Sequence, residues 1–115
     1  MEQNRRISPR FNIQQMVQLG GEEEFFLANG IDLSREGLCC TTKAPLQPLD
    51  QVFGMISLSH GERKHNISFE AYVARIKAHE QGKEIGLSFT HMEPEDAAFL
   101  NEYLAAVADD AGAEA

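Results

Sequence analysis

Tryptophan is absent from this chain, cysteine occurs only twice, and four prolines are spread over 115 residues. The two cysteines are adjacent, at positions 39 and 40. In a strand neighbouring side chains point to opposite faces, so a bond between them would need strained geometry. Both are therefore expected to be reduced, one in the core and one on the outer face. No apolar run approaches the roughly 18 residues that cross a bilayer. The opening Met1-Glu2-Gln3-Asn4-Arg5 carries none of the apolar stretch of a secretory signal. The chain is expected in the cytoplasm, with no membrane partner. Basic residues are also scarce: ten Lys and Arg face eighteen Asp and Glu, for a formal charge of -8. That balance argues against a general nucleic-acid binder, whose affinity comes from neutralising phosphates.

The charge is unevenly placed. Residues 93–115 hold seven acids and no base, whereas residues 1–11 hold three arginines against one glutamate. Exposed charges beyond about 8 Å are largely screened at physiological salt, so the arginines can attract an anion wherever the acidic end lies elsewhere. His60, His65, His79 and His91 fall at turns and strand ends without the cysteine or carboxylate spacing of a metal site, and no metal is expected. No base is placed to activate a serine, so no catalytic residue and no enzyme activity are expected.

A chain of this length supports one core. Phe11, Ile13, Val17 and Leu19 alternate with polar residues, which is the period of a half-buried strand, and Gly20-Gly21 reads as the turn after it. Next, Phe25, Leu27, Ile31 and Leu33 are read as sharing one face, which puts Asp32 and Ser34 side by side on the other, outward one. Gly37 is read as supplying a backbone conformation that a Cβ would resist, before a third strand from Leu38 to Thr42. The segment with Pro45 and Pro48 reads as a loop. Three more strands follow: one at Val52, Ile56 and Leu58, one at Ile67 to Val73 and one at Ile85 to Phe89. Six strands on short connections imply an antiparallel sheet, and closing it into a barrel removes its edges. Pro94, Glu95 and Asp96 then open an amphipathic helix with Phe99, Leu100, Tyr103, Leu104 and Val107 on one stripe. The expected organisation is a flexible arginine arm over residues 1–10, a barrel with its helix over 11–107, and a disordered acidic tail over 108–115.

Two short runs carry the chemistry. Arg5-Arg6-Ile7-Ser8-Pro9-Arg10 gathers three guanidiniums, each able to bond a phosphate bidentately, to pair with guanine O6 and N7, or to stack on the base. Asp32-Leu33-Ser34-Arg35-Glu36-Gly37 places a carboxylate, which can accept from the guanine N1–H and 2-amino groups, beside a hydroxyl. Together they describe recognition of a purine nucleotide with anionic phosphates.

These residues resemble a family. Arg6-Ile7-Ser8-Pro9-Arg10 is similar to the R-x-x-x-R motif of PilZ domains, and Asp32 to Gly37 to their (D/N)-x-S-x-x-G motif. Tyr72-Val73-Ala74-Arg75, Ile85-Gly86-Leu87-Ser88-Phe89-Thr90 and the terminal helix resemble the rest of that domain. The resemblance implies a six-stranded antiparallel β-barrel with a C-terminal α-helix, acting as a bacterial receptor for cyclic di-GMP. Carried over, Arg6 and Arg10 grip phosphates and guanines, Asp32 and Ser34 bind a guanine edge, and Gly37 shapes the turn. Arg5, immediately before the motif, implies two intercalated ligand molecules per chain. Arg35 and Arg75 are possible additional contacts, Arg75 being either a ligand contact or a rim ion pair. A single domain of this kind is expected to be a monomer that changes conformation on binding and regulates an unidentified effector protein in motility, exopolysaccharide or biofilm control. Two other classes remain open: a PilZ-fold interaction module that binds no nucleotide, and an oligonucleotide-binding barrel, which should show a broad basic groove with exposed aromatics.

Overall fold

The computed structural model describes residues 11–12, 16–20, 25–80 and 82–112. The strands are β1 (Phe11–Asn12), β2 (Met16–Gly20), β3 (Phe25–Leu33), β4 (Gly37–Thr42), β5 (Gln51–His60), β6 (Arg63–His79) and β7 (Gly82–Met92), followed by helix α1 (Pro94–Gly112). Every pairing is antiparallel, and the ring runs β3-β2-β5-β6-β7-β4 and back onto β3, a closed six-stranded barrel. Closure leaves no sheet edge open within the ring. The expected first strand is divided: Phe11 and Asn12 pair with the far end of β3, while Met16 to Gly20 pair with its beginning. Gly20 ends β2, while Gly21, Glu22-Glu23-Glu24 and the arm at residues 1–10 lie outside the described residues.

Alternation builds the core. Val17 and Leu19, Val52, Ile56 and Leu58, Ile67 to Val73 at every second position, and Ile85 and Leu87 all point inward and are buried. Each of these side chains except Ala71 contributes roughly 1.5–3 kcal/mol relative to exposure. Helix α1 closes one end of the barrel, packing on β6 and β5 and adding Phe99, Leu100 and Leu104 to the core. Its first turn is tethered: Asp96 Oδ1 lies 2.7 Å from His65 Nε2, and Oδ2 accepts from the Ser68 amide at 3.2 Å. Phe99 is gripped by the His65 ring, stacked at 5.0 Å, and by the Arg63 guanidinium 5.1 Å above it. Replacing Phe99 by Ala is expected to cost about 3–5 kcal/mol, read as a lowered urea midpoint with the m-value unchanged. The helix continues to Gly112, and residues 113–115 lie outside the described ones.

The ladders carry three register shifts, one of them between Glu70 and Ala71 on β6 opposite β7, and the other two bring charged side chains to the outer wall. In β3 the register slips between Gly30 and Asp32, and in β6 between Val73 and Arg75. With a period of two, one extra residue sends everything after it to the other face. Gly30 and Val73 point inward, so Asp32 and Arg75 would follow them into the core without the bulges. The slips turn both charges outward. The loop at residues 43–50 braces the second bulge, since Val73 exchanges hydrogen bonds with Leu49 N and Asp50 O. Lys83 Nζ in turn donates to the loop carbonyls of Ala44 and Leu46.

Candidate functional site

The register lines up four residues across four strands. Asp32 on β3 is opposite Cys39 on β4, Cys39 is opposite Gly86 on β7, and Gly86 is opposite Arg75 on β6. Three strand spacings separate the ends, about 14 Å. The two inner members are small, so the row is a shallow trough with Asp32 at one end and, from Arg75 at the other, a side chain folded over Gly86 toward Cys39. Arg75 lies back along the floor. A Cβ on Gly86 would sit 2.9 Å from Arg75 Nη1, and Nη2 donates to Cys39 Sγ at 4.0 Å. Alongside runs a second outward row, Gly37, Ser88 and Tyr72, the last of them 36% exposed.

Cys39 reports the electrostatics of this wall. Its thiol is pushed up to about 11, first by burial, then by the charges of Asp32 and Glu84 and a hydrogen bond donated to Glu84 Oε2 at 3.5 Å, with Arg75 opposing. Cys40 faces the core and is pushed up to about 12, chiefly by burial. Both stay protonated and enclosed near neutral pH. Neither is expected to react with iodoacetamide at pH 7.5 until the chain is unfolded, a result read by mass spectrometry before and after denaturation.

The turn after β3 is built by Ser34. Its hydroxyl oxygen accepts from the amides of Glu36 at 3.2 Å and Gly37 at 3.3 Å, and its own amide donates to Gly37 O at 2.9 Å. Ser34 is 4% exposed. The expectation that it stands outward beside Asp32 is thereby corrected, because strand parity ends where the turn begins. Asp32 itself is half-buried at the wall, but for a different reason from the one expected. Phe25 and Leu27 face solvent and Ala28 and Gly30 face the core, and only the bulge at Ile31 brings Asp32 out.

Gly37 has ordinary extended backbone, so conformational freedom is not what the position requires. Space is: a Cβ there would lie 2.0 Å from the Leu87 carbonyl oxygen. The turn is pinned against β7 by Phe89 N donating to Glu36 O at 2.8 Å.

Of the residues singled out in the sequence, Asp32 and Arg75 share the trough, and Ser34 and Gly37 form the turn beside it. Arg35 does not join the row; it lines a depression between β7 and α1 with Phe89 and Asn101. Arg75 is exposed on the outer wall, not on the inward face begun by Ile67. Arg5, Arg6 and Arg10 lie outside the described residues. Gly86 and Tyr72 were given no role by the sequence alone. A glycine inside a strand is the signal for the first, since it marks a close approach. Among the described residues no cluster of His, Cys, Asp or Glu has the arrangement of a metal site, and no helix is long and apolar enough to cross a membrane.

A six-stranded barrel with a terminal helix, a Ser-stapled turn and a carboxylate brought to the wall by a bulge define a PilZ-type domain. The PilZ domain model matches residues 4–106, and the chain belongs to that family. In structure the chain is similar to the inhibitor of motility MotI/DgrA of Bacillus subtilis, with a TM-score of 0.81 and 22% identity over 93% of this chain. The chain spans about half of that protein, 53% of its length. It is also similar to the PilZ domain of YcgR from Escherichia coli solved with c-di-GMP, with a TM-score of 0.70 and 16% identity over 96% of this chain and 97% of that one. A third likeness is to MrkH of K. pneumoniae in complex with c-di-GMP, with a TM-score of 0.65 and 17% identity over 97% and 56% of the two chains. No curated protein sequence matches.

Proposed function

We propose that this protein is a receptor for cyclic di-GMP, holding the nucleotide against the trough between Asp32 and Arg75. The observation that carries the reading is the pairing of β1 with β3, Phe11 opposite Leu33 and Asn12 opposite Asp32. It anchors the chain that follows the arginine run directly beside the carboxylate. Arg10 precedes Phe11 by one peptide bond, and Arg6 by four residues more. Arg6 and Arg10 grip phosphates and guanines, and Asp32 accepts from the N1–H and 2-amino groups of one guanine. The Arg75 guanidinium, lying over Gly86 and toward Cys39, and the Tyr72 ring give two planar groups on which a base can stack. The Ser34 hydroxyl hydrogen has only a 3.5 Å contact to Gly37 O, so it turns readily to a ligand acceptor while the oxygen keeps the turn. Arg5 supports a second, intercalated nucleotide.

The reading carries no catalytic step. Closure of residues 1–10 over the nucleotide creates a new surface, and a separate effector protein reads it. MotI is by name an inhibitor of motility, which supports a partner on the motility side, with polysaccharide and biofilm control as the related outputs.

Calorimetric titration of the intact chain with cyclic di-GMP tests this. Saturable heat with two ligands per chain is expected; one per chain would remove the intercalated pair, and no heat would remove the receptor.

A further inference from the structure

Away from the trough, the outer wall carries apolar side chains where polar ones are the rule. Phe25 is 81% exposed, Leu27 62% and Phe53 52%. They are neighbours across strands: Gly20 stands between Phe25 and Phe53 in the pairing, and Gln18 between Leu27 and Met55. The gap is a groove of about 330 Å³. The exposed apolar area is roughly 350 Å², the scale of the largest patch on a typical monomer and often functional. Glu70 and Glu93 line the same groove, with His91 Nε2 held 3.1 Å from Glu93. Among the described residues no Lys or Arg lines it, and Glu22-Glu23-Glu24 directly precede Phe25 in the sequence.

We propose that this strip on the β3-β2-β5 wall docks a protein segment presenting apolar side chains flanked by lysine or arginine. The charge selects that occupant over the others. A second copy, meeting the patch with its own through a two-fold axis, would set Glu70 and Glu93 against their like. An anionic lipid surface would be repelled by the same carboxylates. A basic, apolar segment satisfies both the rings and the rim, and exposed aromatics are the side chains that anchor interfaces. In the barrel ring β2 and β5 are diametrically opposite β7 and β4, and on β3, which carries residues of both the strip and the trough, Phe25 and Leu27 precede Asp32 by seven and five residues. A partner here therefore leaves the trough accessible. The proposal deepens the reading of the chain as a regulator of a separate protein and stands independently of the nucleotide.

A random peptide library displayed on phage, panned on the intact 115-residue protein with and without saturating cyclic di-GMP, tests it. Enriched sequences are expected to combine aromatic or aliphatic residues with Lys or Arg. The best synthetic peptide should lose at least tenfold in affinity against Phe53→Ser and at least threefold against Glu70→Gln, with the second loss shrinking at high salt. Both substituted side chains are at the surface, and unchanged thermal unfolding of each variant checks the fold. Enrichment of nothing above bare support, peptides lacking basic residues, binding indifferent to Phe53→Ser, or displacement by cyclic di-GMP would each overturn the proposal. So would sedimentation showing a dimer that Phe53→Ser dissolves. Absence of calorimetric heat from cyclic di-GMP, with the peptide result intact, would sink the nucleotide reading alone.

Discussion

Gly37→Ala is expected to lose at least 3 kcal/mol of about 5–15 kcal/mol of stability, and cyclic di-GMP binding with it. The added methyl group would sit 2.0 Å from the Leu87 carbonyl oxygen and 3.2 Å from its carbon, both backbone atoms of the neighbouring strand. No rotamer relieves such a contact, so β4 must separate from β7. Separation strains the Gly37–Ser88 pairing, the Phe89 to Glu36 hydrogen bond and the turn stapled by Ser34. Gly61 is the control, because its need is of the opposite kind. Its φ is +63° and a Cβ there meets nothing within 4 Å, so Gly61→Ala carries only the left-handed penalty of roughly 1–2 kcal/mol. Urea denaturation of the two variants separates the cases. Equal losses would show that Gly37 acts through backbone freedom, and that the close approach of β4 to β7 is not what the position demands.

The barrel was legible because most of its strands keep strict parity: Val17 and Leu19, Val52, Ile56 and Leu58, Ile67 to Val73, and Ile85 and Leu87 alternate in sequence as they do in space. What the alternation could not carry is a change of parity within a strand. On β3 the alternation reads Phe25 and Leu27 as sharing a face with Leu33, whereas in the structure Phe25 and Leu27 face solvent and Ala28 and Gly30 join Leu33 in facing the core. Hydrophobic size misleads where a wall is used for contact and where a small core position faces a neighbouring strand. The second bulge left a trace, since Arg75 falls at a position whose parity points into the core. A charge there is stable only if the register slips or the site lies at a rim. The turn motif itself was fully visible, yet the reason for Gly37 was not, because close approach of Leu87, fifty residues away, is a tertiary fact. The same holds for the Asp32–Cys39–Gly86–Arg75 row: its members are scattered in sequence, and only the register assembles them.

Arg10→Ala is expected to weaken cyclic di-GMP binding by at least tenfold, and Asp32→Ala by a similar factor. In the proposed closure, fixing about six residues before Phe11 over the nucleotide costs roughly 6–12 kcal/mol of backbone entropy. Each charge-assisted hydrogen bond contributes on the order of 1.5–3 kcal/mol in return. Several such bonds with base stacking leave a net of about -8 kcal/mol, a micromolar ligand. Deleting one guanidinium removes its contact and leaves the ordering cost unchanged, so the whole loss falls on affinity. About 1.4 kcal/mol is one factor of ten. Arg10 should matter most among the arginines because it stands nearest the β1–β3 pairing that fixes the chain beside Asp32. Arg5→Ala should instead change the stoichiometry from two ligands to one. Asp32→Ala acts at the other partner: it removes the acceptor for two guanine N–H donors, which the ligand must otherwise leave partly unmet at a half-buried wall. Titration calorimetry of the three variants, each checked for unchanged thermal unfolding, gives affinity and stoichiometry together. If Arg10→Ala binds within threefold of the unsubstituted chain, the arginine segment does not close over the trough, and the nucleotide is held, if at all, by the barrel wall alone.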